Sequence, residues 1–305
     1  MAWKHRSSIA VVLAAGALAA TRAGAVTEPP PDPIRLGLYE WMAVAPIVVA
    51  ADVLVDDGKY IQAMTREPIK GAVPARTTLY VDLKRANRDR AVGVKALDLA
   101  RGRGYLLLLE AAPQKASAPS PLYDLVRGIS GAREIPKEAP GPLLEAAAKL
   151  ADIQERKTDS LLWSSVPEFL EDPNPVLVDA ALELVVKFRK ETLDLLPSLT
   201  PLLESPRPDV RQRAVVLIGR VLVRQGAEAV PERSTIVAEI TGRARRDDDV
   251  EVRRAATAAI STLADAGVDE TLKTISHDDP DQNVRFEAEK ALYERKLSGR
   301  GGGTD

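Results

Sequence analysis

Two hydrophobic periods divide the chain. Residues 47–55 (IVVAADVLV) are rich in β-branched side chains, and 59–66, 77–83 (TTLYVDL) and 105–110 (YLLLLE) are further short runs of strand length. Runs of this length, bounded by turn residues such as Arg101-Gly102-Arg103-Gly104, predict strands. Asp56-Asp57-Gly58 predicts a tight turn, because glycine accepts a positive φ, and makes a hairpin of the first two runs. The unbroken apolar run in YLLLLE predicts a strand buried on both faces. Residues 122–126 and 132–135 flank the glycines of RGISG and predict a last hairpin, with a short helix over LYDLVRGI as the alternative. Between them and YLLLLE, residues 111–121 (AAPQKASAPSP) have the composition of an exposed flexible loop.

From Gly141 the period becomes helical: Leu143, Leu144, Ala147, Leu150 and Ala151 fall on one face. The chain then repeats itself. DPNPVLVDAALELV, SPRPDVRQRAVVLI, DDDVEVRRAATAAI and DPDQNVRFEAEKAL align without gaps on Leu177, Val210, Val252 and Val284. These anchors are 33, 42 and 32 residues apart (177 to 210, 210 to 252, 252 to 284). Asp172, Ser205, Asp247 and Asp279 stand five residues before the anchors, and Asn174, Arg207, Asp249 and Asp281 three before. One of these two columns caps the helix, since a short side-chain oxygen accepts from amides that lack an intrahelical partner. Pro173, Pro206 and Pro280, or Pro175 and Pro208, then sit where the missing amide costs nothing. Four residues after each anchor stands alanine, at 181, 214, 256 and 288, small enough for a neighbouring helix to approach closely. Val185, Ile218, Ile260 and Leu292 complete an apolar stripe eight residues on.

Each copy follows a segment that predicts a partner helix, at residues 161–170, 193–203, 236–244 and around 272–275. Two antiparallel helices per unit of about 30 to 45 residues predict an α-solenoid in which each unit covers its neighbour. The columns D-P-x-P-x-V-R-x-x-A resemble the HEAT repeat, in the short variety also seen in phycobilisome lyases. The first copy departs with Val178 where the others have Arg211, Arg253 and Arg285, and the third has Asp248 and Val250 in place of proline. The earlier half, with its paired strands around a turn, Ile69-Lys70-Gly71 and a G-x-x-Y-L-L-L segment, resembles the OB-type barrel of netrin and metalloproteinase-inhibitor modules. It lacks the N-terminal cysteine through which those inhibitors reach a metal, so the resemblance does not carry inhibition over. The expected fold is thus multidomain α and β: a small N-terminal β-barrel, OB-like, over 34–137, followed by an α-solenoid of about four HEAT-like hairpins over 138–297.

The first residues read as an export signal. Lys4, His5 and Arg6 precede an apolar run over residues 9–20, too short to span a bilayer, and Ala23-Gly24-Ala25 supplies small residues for cleavage. The expectation is a signal peptide over 1–25, a mature start near Val26, a Pro-rich linker over 26–33 (from TEPPPDP), no integral membrane segment after cleavage, and a periplasmic or secreted location. The tail, 298–305 (SGRGGGTD), is expected to be disordered.

Composition narrows the chemistry. The 305 residues carry 42 Lys and Arg against 44 Asp and Glu; removing Lys4, Arg6 and Arg22 leaves 39 against 44, a charge of −5. That balance offers nucleic acid no basic surface. With no cysteine and only His5 and His277, disulfide scaffolds, thiol nucleophiles and paired-histidine metal sites are excluded. The chain has no G-x-S-x-G, H-E-x-x-H or phosphate-cradling glycine motif. His277 beside Asp278 and Asp279 is expected to be a turn residue near a helix C-terminus, and the aspartates of 247–249 and 278–281 to serve helix termini rather than calcium. In GRARRDDDVEVRR (242–254), Arg243, Arg245 and Arg246 are expected in the last turn of one helix and the aspartates in the first turn of the next.

Arg211, Arg253 and Arg285 form a ladder at one repeated position; they are the candidate partner-binding residues, with pairing to neighbouring carboxylates as the other use. No catalytic, metal or cofactor residue is expected. The expected function is a non-enzymatic exported scaffold or adaptor that binds another protein in the cell envelope. The alternatives are a bilin lyase-like enzyme, as the lyase resemblance implies, or a protease inhibitor acting through the barrel.

Overall fold

A computed structural model describes residues 37–88, 99–113, 117–126, 128–156, 158–225, 230 and 232–298. The expected signal peptide and linker, the centre of the 111–121 loop and the tail beyond Ser298 lie outside the described residues. The described residues form one compact unit.

The apolar runs fold as strands: β1 (Ile47–Asp56), β2 (Tyr60–Lys70), β3 (Thr78–Asp82), β4 (Gly104–Ala111), β5 (Leu122–Leu125) and β6 (Ala132–Glu134). Two short helices accompany them, α1 (Leu38–Ala43) before β1 and α2 (Leu83–Ala86) after β3. At the β1–β2 turn Gly58 has φ +75°, as a tight turn requires. The Asp57 carboxylate accepts from the amides of Lys59 and Tyr60 there. Strands pair in the order β1-β2-β3-β5-β4, and β4 returns to β1, closing a five-stranded barrel; β6 adds to the start of β4. The β3–β5 pair is parallel and the others antiparallel.

The predicted last hairpin is not formed. β5 pairs with β3 and β4, β6 pairs with β4, and the glycines between them close a 3₁₀ turn (Gly128–Gly131). β5 is held on both sides instead, parallel to β3 at Leu122 and Tyr123 and antiparallel to β4, where Leu125 sits opposite Leu109 in the barrel core. Asp124, buried on the same strand, is held by Arg85 of α2.

The remaining chain is helical: α3 (Pro140–Arg156), α4 (Asp159–Leu170), α5 (Pro175–Phe188), α6 (Leu196–Leu199), α7 (Pro208–Gln225), α8 (Arg233–Arg246), α9 (Val250–Ser261), α10 (Val268–Asp278) and α11 (Gln282–Leu297). The four anchors lie on α5, α7, α9 and α11 and are all buried, as are the four alanines one turn on. These second helices pack against their own hairpin partners and, from α7 through α11, directly against one another. The helix expected over 193–203 is broken into α6 between two 3₁₀ turns (Leu193–Leu195 and Thr200–Glu204). Pro197 and Pro201 each lack the amide an uninterrupted helix needs there. Before the first aligned copy, α3 already carries the same spacing, with Leu143, Ala147 and Ala151 buried.

Strand β4 joins the two halves. Tyr105, Leu107 and Leu109 point into the barrel with Val49, Ala51 and Val53 of β1. Leu106 and Leu108, with Val48 and Ala50, point outward into the same core as α1, α3 and the second helices. Full burial on both faces is what the YLLLLE run predicted. Polar ties reinforce this junction: Trp41 Nε1 donates to the Ser130 carbonyl (2.6 Å), and Lys70 donates to Gln154 of α3 (3.1 Å).

Candidate functional site

Each inter-helix turn of the solenoid uses the two polar columns for different tasks. The column three before the anchor caps: Asn174, Asp249 and Asp281 side chains accept from the first amides of α5, α9 and α11. The column five before shapes the turn, since Asp172, Ser205, Asp247 and Asp279 each accept from the amide two residues on. Pro175 and Pro208 open α5 and α7. Arg207 is no cap; it pairs with Asp179 and Asp209.

The arginine ladder runs through these turns. Arg211 makes a bidentate pair with Asp247 of the next repeat (2.9 and 2.7 Å) and donates to the Ser205 carbonyl of its own turn (2.8 Å). Arg253 repeats the arrangement with Asp279 (2.9 and 3.2 Å) and the Asp247 carbonyl (2.9 Å). Among the described residues, Arg285 has contacts to its own turn alone, donating to the Asp279 and Pro280 carbonyls (2.6 and 3.1 Å). The bond to Asp247 raises the Arg211 pKa, against burial, which lowers it; Asp279 does the same for Arg253. Burial would raise the Asp247 carboxyl, yet Arg211, the Asp249 amide and Arg243 together hold it below the ordinary value of 3.8. Two of the three expected partner-binding residues, Arg211 and Arg253, are thus engaged inside the scaffold.

The charge cluster is internal only in part, with Asp247 and Arg253 buried and Arg245, Arg246 and Asp248 exposed. Arg243, Arg245 and Arg246 do occupy the last turn of α8. The aspartates fall between the helices rather than in the first turn of α9: Asp247 ends α8 and Asp249 caps α9. Arg243 pairs with Asp247 and with Glu204. His277 is exposed in the last turn of α10, and no cluster of metal-ligating side chains occurs among the described residues.

A surface that the sequence reading did not single out lies along the second helices. Counted from the anchors, the positions +2, +6, +9 and +13 share one helix face, and among them Val186 on α5, Val223 on α7 and Phe286, Tyr293 and Leu297 on α11 are exposed, while Val216 and Ala258 are half-buried and Gly219 is buried where α7 meets α9. Val223 is 50 % exposed, Phe286 63 % and Tyr293 65 %. Between α7 and α9 these residues line a groove of about 340 Å³, with Val216, Gly219 and Val223 on one wall and Ala255, Ala258 and Ala259 on the other. The groove is narrow because α7 and α9 touch: a Cβ at position 219 would lie 2.9 Å from the Ala259 Cβ. Arg220 and Arg224 stand at its edge, sharing the buried carboxylate of Glu191 (3.1 and 2.6 Å), so one positive charge is left in excess. The signal available in the sequence was the apolar side chain at +9 or +13 in three of the copies, where a solvated helix face calls for polar residues.

Residues 196–293 match the family model of HEAT repeats. The helical hairpins of that stretch are therefore HEAT repeats, and α4–α5 before them carries the same columns. No curated protein matches the chain.

Proposed function

We propose that this chain is an exported, non-enzymatic scaffold whose second-helix face carries a protein partner. One observation supports this most strongly. Among the described residues, eight large hydrophobic side chains are exposed, and five of them (Val186, Val223, Phe286, Tyr293 and Leu297) lie at those face positions of α5, α7 and α11. Concentration of apolar surface on one set of helices marks an interaction surface, whereas scattered single residues would not. The excess positive charge at Arg220 and Arg224 favours a partner segment with an apolar face and an acidic flank. Export rests on the basic, apolar and small-residue order of residues 1–25, and the absence of catalytic motifs supports a binding role.

Capture from an envelope extract of the source cells with the natural chain and with V223D tests the surface. The variant should lose the proteins that the natural chain retains, and an unchanged set would overturn the assignment. Mass spectrometry of the envelope fraction should find a mature terminus near Val26; a protein retaining Met1 in the cytoplasm would refute export.

A further inference from the structure

The ladder has a missing rung, and a cleft lies where it would be. In the repeats that carry Arg211 and Arg253, the guanidinium spans from its own turn's carbonyl to an aspartate five residues before the next anchor. In the first copy the arginine is Val178, and the acceptor in the next turn is Ser205 instead of aspartate. Both halves of the pair are absent together. The cleft between these turns measures about 510 Å³ and is lined by Val178, Ser205, Asp172, Glu171, Pro173 and Pro206, among others.

We propose that this cleft binds an arginine side chain supplied by a partner peptide, which completes the ladder in trans. The register of the two filled rungs assigns the acceptors: the Asp172 carbonyl, at the position of the Ser205 and Asp247 carbonyls, and the Ser205 hydroxyl, at the position of the Asp247 and Asp279 carboxylates. Pro173, Pro206 and Val178 flank the three methylenes of the incoming side chain. The charges suit a cation. Of the charged residues that line the cleft, Glu171 and Asp172 are acidic and Arg207 is basic, two to one. Arg207, the cation on the lining, is itself held by Asp179 and Asp209. An apolar side chain would fill the volume but leave these acceptors unused. The groove between α7 and α9 shares no lining residue with this cleft, so the site stands independently of the face assigned to a protein partner.

The probe is the tripeptide acetyl-Ala-Arg-Ala-amide, titrated into the full chain and followed by NMR. Amide and methyl signals of Val178, Ser205 and Val210 should shift, and the citrulline tripeptide, which keeps the shape and loses the charge, should bind about tenfold more weakly. V178R should abolish the shifts by supplying the arginine from within, while S205D, which restores the aspartate, should tighten binding by about tenfold. V223D should leave both results unchanged. Equal binding of the citrulline peptide, undiminished binding to V178R, or no shift in the natural chain and in S205D would each overturn the assignment.

Discussion

Asp247 carries three tasks with one carboxylate: it shapes its own turn, takes a bidentate pair from Arg211 of the preceding repeat, and receives Arg243. Its side chain is almost wholly buried, so D247N would leave Arg211 without its counter-charge and should cost about 3–5 kcal/mol at neutral pH in urea unfolding. The pH dependence follows from the direction of its shift. A carboxyl whose folded pKa lies below 3.8 adds stability that is fully present above that value and lost as pH falls through the lower, folded one. The natural chain should therefore lose stability below about pH 4, and D247N should lose less over the same range. An equal acid loss in both would show that Asp247 contributes nothing to it. At this scale the sequence exposed the columns but not their roles. Spacing alone could not say which of Asp247 and Asp249 caps, because both carry a short carboxylate within reach of free amides; only the geometry of the turn separates them.

Elements pack as closely as their smallest residues allow, and α7 and α9 meet at Gly219 and Ala259. G219A gains helix propensity, worth about 1 kcal/mol. It also forces a methyl group to within contact distance of Ala259, and overpacking of this kind costs about 1–3 kcal/mol. Net destabilisation is expected, recovered in part by G219A/A259G, where the facing methyl is removed. A G219A chain with a higher denaturation midpoint than the natural one would show that the helices separate freely. Helix existence was legible from the 3.6-residue period, and so were β1 to β4 from their apolar runs. The partner of β5 was not, because parallel pairing to β3 depends on residues about forty positions away and leaves no local mark. The break at α6 was legible in principle from Pro197 and Pro201, whose missing amides outweigh the regular leucines around them.

For the molecule as a whole, one hydrophobic core runs from α1 and the outer faces of β1 and β4 through α3 to α11. Two parts that the sequence presented as separate domains therefore share buried surface. The chain should unfold in one transition from residue 37 to residue 298. Trp41 sits in α1 beside the barrel and Trp163 in α4, so single-tryptophan variants built on W3F/W163F and W3F/W41F report on opposite sides of the junction. Coincident midpoints in urea are expected, and midpoints clearly apart would mean that barrel and helices unfold independently. The position five after the anchor is buried in Leu182, Val215 and Thr257 but is exposed Glu289 in α11.

The double-sided strand β4 also sets an order of events during synthesis. Translation proceeds at about 5–20 residues per second, so the nascent chain carries β4 for several seconds before α3 has left the ribosome. Throughout that interval Leu106 and Leu108 lack α3 and the later helices that share their core, even when every strand has been made. The barrel is thus finished by a segment translated after it.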